Sequence, residues 1–192
     1  MQLESTDQPA GLMLTYRLAG PKDAAPIAAL AATVWITTYA TAGVEPAFAR
    51  HVLTEFTEPR WRDLLAAPGR ICWLAEQADA VVGFVELTLQ APAPVPRPSR
   101  APAEIARLYV LERFTGQGIG RTLLRHGATS ARTRGADELW LTVYEGNARA
   151  LAFYRRTGWR DAGEYAFPLE GATYRNLLLA AAPDALASPA SG

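Results

Sequence analysis

The sequence predicts an α/β domain with a mixed sheet, and three observations carry that expectation. Strand-like runs alternate with segments of helical apolar spacing in the order strand, two helices, three strands, helix, strand, helix, two strands. The run "GRICWLAEQADAVVGFVELTLQ" holds two β-rich stretches around a short polar turn at residues 77–79, the pattern of a hairpin. A third strand-like run, "EIARLYVL", passes through the glycine-rich "RFTGQGIG" directly into an amphipathic segment.

Each element has a local reason. "LMLTYRLA" (residues 12–19) reads as the first strand, and Asp23 after "PK" is placed to cap a helix running to about Tyr39. Ile27, Leu30, Val34 and Trp35 fall at helical spacing within it. Residues 46–65 form a second helical region with a break expected near Pro59. The hairpin follows, and then "APAPVPRPSRAPAE", a proline-rich stretch without periodicity that reads as an exposed, extended loop. A strand over residues 104–111 leads to the glycine turn. The next helix runs to about Arg134, with Ile119, Leu123, Leu124, Ala128 and Ala131 on one face. "DELWLTVYE" is a strand, "NARALAFYRRTG" a short helix stopped by Gly158, and "WRDAGEYAFPL" with "TYRNLLLA" a closing strand pair. Residues 1–10 are expected to be flexible, 11–180 to form the domain, and 181–192 to form a disordered tail.

Composition narrows the function classes. The chain has 192 residues, 49% apolar and 20% charged, with net charge zero. That length suits one domain burying roughly 70% of its unfolded surface. The zero net charge supplies no general attraction to nucleic acid or to an anionic membrane. The single cysteine, Cys72, makes no internal disulfide and reads as a buried strand residue. The acidic, polar start is unlike a signal peptide. Residues 24–44 carry no charge, but Ala, Thr and Pro26 make them a surface helix rather than a membrane span. A cytoplasmic location is the expectation.

Three glycines where a helix begins need a cause, because glycine weakens helices. A strand ending in a glycine turn that opens a helix is an anion site. The free N–H groups of the first turn and the helix dipole face the ligand, and bare glycines let a phosphate approach. The spacing fits neither the dinucleotide G-x-G-x-x-G nor the P-loop, since positions 121 and 123 are Arg and Leu and the chain's one lysine is Lys22. What remains is "TGQGIG" followed by "RTLL".

This stretch resembles the acetyl-coenzyme A signature of the GNAT superfamily of N-acetyltransferases. A second family signature, N-x-x-A-x-x-F-Y-x-x-x-G-[FW], is matched by Asn147, Ala150, Phe153, Tyr154, Gly158 and Trp159. Thr115 stands where the family usually has Arg or Gln, so Arg113 or Arg121 is left to supply charge beside the pyrophosphate. The resemblance implies a single domain on a mostly antiparallel sheet of six to seven strands, flanked by about four helices and splayed between the fourth and fifth strands. It implies acetyl-CoA as cosubstrate and no metal. Thr115, Gly116, Gln117, Gly118, Ile119, Gly120 and Arg121 would hold the pyrophosphate. Leu108, Tyr109 and Val110 would pair with the acetyl and pantetheine arm, and Asn147 would bond to it.

Acetyl transfer from a thioester to an amine needs a neutral amine, a stabilised oxyanion and a proton for the leaving thiolate. A phenol keeps its proton at pH 7, and the family tyrosine that matches Tyr154 is the usual acid. Glu104 is the first candidate base, because the histone-acetylating branch of the family carries its glutamate on this strand; Glu86 is the second. The acceptor site is implied near the first two helices and the proline loop, with Trp35, Tyr39, Glu45 and Glu86 as contacts; core packing is the other role open to Trp35, Tyr39 and Phe48. The whole chain resembles the PaiA-type branch, associated with spermidine and spermine. The expected partners are therefore acetyl-CoA and a small amine, with a homodimer possible. A protein N-terminal or lysine acetyltransferase, or a silent acyl-CoA-binding regulator, is the alternative.

Overall fold

The computed structural model describes residues 13–169 and 171–187. The elements are β1 (Leu14–Leu18), α1 (Ala24–Tyr39), α2 (Pro46–Glu55), α3 (Glu58–Ala66), β2 (Arg70–Gln77), β3 (Ala80–Leu89), β4 (Pro102–Val110), α4 (Ile119–Thr133), β5 (Glu138–Tyr144), α5 (Ala148–Arg156), β6 (Arg160–Leu169), β7 (Ala172–Ala181) and α6 (Pro183–Ala187). All seven strands join one sheet in the order β1-β2-β3-β4-β5-β7-β6. Every neighbouring pair is antiparallel except β4–β5, which is parallel. The expected fold class therefore holds, with six helices among the described residues rather than about four.

Local chemistry explains the boundaries. The β2–β3 hairpin turns through Ala78 and Asp79, both with positive φ (48° and 63°), the conformation a tight two-residue loop demands. The helical region 46–65 divides after Glu55; Thr57 sits at the N-cap of α3 and Pro59 in its first turn, where a missing N–H costs nothing. The uncharged α1 is a surface helix with one apolar face, as expected: Ile27, Ala28, Leu30, Ala31 and Trp35 are buried, while Ala25, Pro26, Ala29, Thr33 and Thr37 are exposed. No helix among the described residues is long and apolar enough to cross a membrane.

The sheet separates two apolar layers. On one face α4 lays Leu123, Leu124, Ala128 and Ala131 against Val85, Leu87, Ile105, Leu139 and Leu141. On the other, α1–α3 cover Leu74 and Phe84 with Ile27, Leu30 and Trp61. Each fully buried side chain of this kind contributes about 1.5–3 kcal/mol.

Two sequence expectations are corrected. The segment from Ala181 is not wholly a tail: Ala181 ends β7, and α6 buries Pro183 and Leu186 beside the α4 layer. Residues 1–10 and 188–192 lie outside the described residues. The proline loop is extended but tied down. Arg97 makes a two-pronged ion pair with Glu138 (2.7 and 2.6 Å), and Asp137 accepts from the N–H groups of Arg100 and Ala101. Val95 meets Gly163 of β6, and Trp140 Nε1 donates to the Ala91 carbonyl at 2.8 Å. The loop thus crosses the sheet over β5 and β6.

Candidate functional site

The site begins where β4 leaves β5. Their ladder holds only Pro102↔Glu138, Ala103↔Leu139 and Glu104↔Trp140. Beyond Glu104 the strands part, and the β4 edge from residue 105 to residue 110 has no ladder partner on that side. A bulge marks the departure: Arg107 pairs with Glu86 and Ile105 with Leu87, so Ala106 is the extra residue. A bulge bends its strand and sharpens the twist, which steers β4 away from β5. The open edge offers backbone N–H and C=O groups to an extended amide-bearing ligand. Leu108 and Val110 pack their side chains toward the α4 layer, and Tyr109 toward the α1–α3 layer.

The glycine turn follows β4 at the open end of this split. Gly116 and Gly118 adopt φ of +80° and +79°, a region L side chains rarely occupy, so glycine is needed at both. Gly118 is the N-cap of α4 and has no side chain to cap it. The first helical bond runs from Thr122 N–H to the Gly118 carbonyl. Among the described residues, the N–H groups from Gly116 to Arg121 have no acceptor. A Cβ built on Gly116 or Gly118 would meet nothing within 4 Å, so the space before these donors is open. Gly120 serves packing instead: its Cβ would touch the Phe153 ring at 3.4 Å. Ile119 buries its side chain and offers only backbone. Gln117 and Arg121 are exposed, Arg113 lies over the Phe114 ring at 4.8 Å, and the Thr115 hydroxyl donates to the Glu112 carbonyl at 2.8 Å. This cradle of unpaired donors at a helix N-terminus fits the pyrophosphate of coenzyme A.

Tyr154 stands on α5, buried between Phe153 and Trp159 with ring centroids 5.3 and 5.7 Å away. Burial, and then the neighbouring phenols of Tyr39 and Tyr109, hold its pKa above the ordinary range for tyrosine, so it keeps its proton at neutral pH. Tyr109 and Tyr39 are likewise raised, each chiefly by burial. Three neutral hydroxyls therefore gather here. Asn147 caps α5, its Oδ1 accepting from Ala150 N–H at 3.0 Å, which leaves its side-chain NH₂ as the group it can offer.

Glu104 lies at the closed end of the split, in a polar patch on the sheet face beneath α2 and α3. Cross-strand register sets two rows: Arg70–Thr88–Glu104 and Cys72–Glu86–Arg107. Glu86 is 2% exposed and gives one oxygen to Arg70 (2.6 Å) and the other to Arg107 (2.5 Å). The Arg107 guanidinium lies 5.3 Å from the Trp61 ring and 5.9 Å from that of Phe56. Glu104 is half-buried and has no hydrogen bond or ion pair among the described residues. Burial first, and then the Glu86 charge, raise its pKa above the ordinary glutamate value; Arg70 and Arg107 pull the other way. The Thr88 hydroxyl beside it is buried without a partner. Burial also pushes the Cys72 thiol well up, so it stays protonated.

These placements sort the sequence candidates. Glu104 and the glycine turn fall at opposite ends of the split, with Tyr154 alongside. Glu86 is no free base, since protonating it would break two ion pairs. Trp35 is buried against Tyr39, Phe48 and His51, which makes it core. Tyr39 reaches across the site to Tyr144 of β5 (6.2 Å), which meets Tyr174 of β7 (6.1 Å). Glu45 is exposed before α2. The sequence does not mark Arg70, Thr88, Arg107, Tyr144 or Tyr174: strict alternation would put Arg107 on the face opposite Glu104, and the bulge at Ala106 brings it onto the same face.

Comparison with known proteins agrees with this geometry. Residues 36–159 match the acetyltransferase (GNAT) family. An uncharacterized N-acetyltransferase of Mycobacterium bovis is 29% identical over 154 residues, 80% of this chain and 93% of its own length. Streptothricin acetyltransferase of Streptomyces lavendulae is 54% identical over 48 residues, 25% of either chain. The crystal structure of a PaiA N-acetyltransferase from Thermoplasma acidophilum in complex with coenzyme A shares the fold, with TM-score 0.69 and 20% identity over 88% of this chain and 99% of that one. The matched span takes in the strand split, the donor cradle and the α5 tyrosine, and the chain belongs to the GNAT family as an acetyl-CoA-dependent N-acetyltransferase.

Proposed function

We propose that the protein acetylates a primary amine of a small molecule by direct attack in a ternary complex, with Glu104 as base and Tyr154 as acid. The observation that carries this is Glu104: an unpaired, half-buried carboxylate of raised proton affinity at the closed end of the split. Acetyl-CoA supplies the acetyl group as an activated thioester. The turn from Thr115 to Arg121 would hold its pyrophosphate, the open β4 edge at Leu108, Tyr109 and Val110 would pair with its arm, and the Asn147 NH₂ would add a bond. Tyr154, neutral at pH 7, holds the proton a departing thiolate needs. Glu104 takes the proton of the attacking ammonium, directly or through a water at Thr88.

A small acceptor suits the aromatic run Tyr39–Tyr144–Tyr174, which walls the α1–α3 side of the split, and the tied proline loop. The name of the streptothricin relative also points to a small molecule. Spermidine and spermine are the polyamine form of this proposal. With Glu86 ion-paired to two arginines and Glu45 exposed, Glu104 is the unpaired carboxylate beneath the helices, which favours an acceptor presenting one ammonium there. The test is thiol release from acetyl-CoA with monoamines, spermidine, spermine and an alanine-initiated peptide, products identified by mass. Turnover confined to the peptide would refute the small-molecule acceptor, and no turnover with any amine would refute the proposed function.

A further inference from the structure

We infer that Glu86 is a positioning residue for the base: by holding Arg70 and Arg107 on its own two oxygens, it keeps both guanidinium groups off Glu104 and leaves that carboxylate free to take a proton. The inference rests on the proposed role of Glu104.

The sheet face beneath α2 and α3 would ordinarily be apolar, as it is one row away at Leu74 and Phe84. Instead it carries two arginines and two glutamates side by side. Two cations and two carboxylates could form two separate pairs. They do not: both arginines go to Glu86, at 2.6 and 2.5 Å, and Glu104 is left with none. Glu104 is nevertheless within reach of each cation. Arg107 shares its strand and its face, one bulge along, and Arg70 is its row neighbour across Thr88. The division is held in place. The Glu86 side chain is 2% exposed, and the rings of Phe56 and Trp61 flank the Arg107 guanidinium. An ion-paired carboxylate is a poor base, since a guanidinium within ~4–6 Å lowers a carboxyl pKa by ~1–3 units. Committing both arginines to Glu86 weakens that pull while keeping the patch near neutrality.

The charged and titratable groups around Glu104 are few. β2 contributes Arg70 and Cys72, β3 contributes Glu86, and β4 contributes Arg107 and Tyr109. Glu55 of α2 acts on Arg107 from above. α3 presents the uncharged Trp61, and β5 places Trp140 opposite. The sign of the effect follows. Glu86 raises the Glu104 pKa by its own charge, and its removal would also release two cations that lower it.

The test titrates the Glu104 side-chain carboxyl by carbon-13 NMR in the ligand-free full chain, with Glu104→Gln to assign the signal. In Glu86→Gln the midpoint should fall by about one pH unit or more as the arginines turn to Glu104. The acid limb of kcat/KM for the acceptor should move down with it, and kcat at pH 7 should fall about tenfold while KM for acetyl-CoA holds. A midpoint that stays or rises overturns the inference. Should Glu86→Gln fail to fold, Arg70→Met leaves the Arg107 pair intact and should raise the midpoint; no rise there overturns it equally. The base reading fails separately: a Glu104→Gln enzyme as fast as the parent would sink that reading, whatever the titration shows.

Discussion

Glu104→Gln should produce a rate deficit that shrinks as pH rises. A primary alkylamine holds its proton until about pH 10.4, so at pH 7 only about one molecule in 2,500 is neutral, a cost of about 4.6 kcal/mol. With Glu104 in place, the charged amine can be used as it binds. Without it, only the neutral fraction reacts. The deficit at pH 7 is therefore bounded at about 2,500-fold, within the ~10²–10⁴-fold span of general base catalysis. It should shrink about tenfold per pH unit and vanish near pH 10. The structure adds a second signature. Burial raises the Glu104 pKa above its ordinary ~4.3, and the group works only when deprotonated. Parent activity should therefore be lost as pH falls through that raised pKa, and this limb should be missing from the variant. The assay is the rate per unit acceptor at saturating acetyl-CoA, parent against variant, from pH 5 to pH 10. A deficit that is constant between about pH 7 and about pH 10 would refute the reasoning and make Glu104 an acceptor contact instead.

Three further outcomes are expected. Gly118→Val places a β-branched residue at φ +79°, costing about 1–2 kcal/mol, but the space around it is open, so the protein should fold and lose affinity for acetyl-CoA in calorimetric titration; undiminished affinity in the folded variant refutes the cradle. Tyr154→Phe removes one proton donor from a buried ring, so turnover should fall by about 10²–10⁴-fold with acetyl-CoA binding little changed, and an unaltered kcat would exclude Tyr154 from the chemistry. Leu186→Ala in α6 should destabilise by about 2–5 kcal/mol in chemical denaturation, whereas a loss below about 0.5 kcal/mol would mean that α6 is not part of the core.

The sequence alone determined the strands and the helices before α6, the glycine turn and the place of the α5 tyrosine. These are local properties. Hairpin and helix signals are read within a few residues, and the turn at Gly116 and Gly118 needs positive φ whatever surrounds it. Glu104, too, could be proposed from its place on the strand before the turn. Tertiary structure decided the rest, because it depends on which strands lie side by side. Glu86 and Glu104 are equivalent as letters; register gives one of them two arginines and the other none. Trp35 and Tyr39 lie four residues apart on one helix, yet packing puts the first in the core and leaves the second facing Tyr144. The proline loop and α6 have little local propensity to order themselves; Arg97 on Glu138 and Leu186 in the α4 layer hold them. The division is physical: backbone conformation is set by near neighbours in the chain, whereas a carboxylate's proton affinity is set by the charges and the burial that folding brings around it.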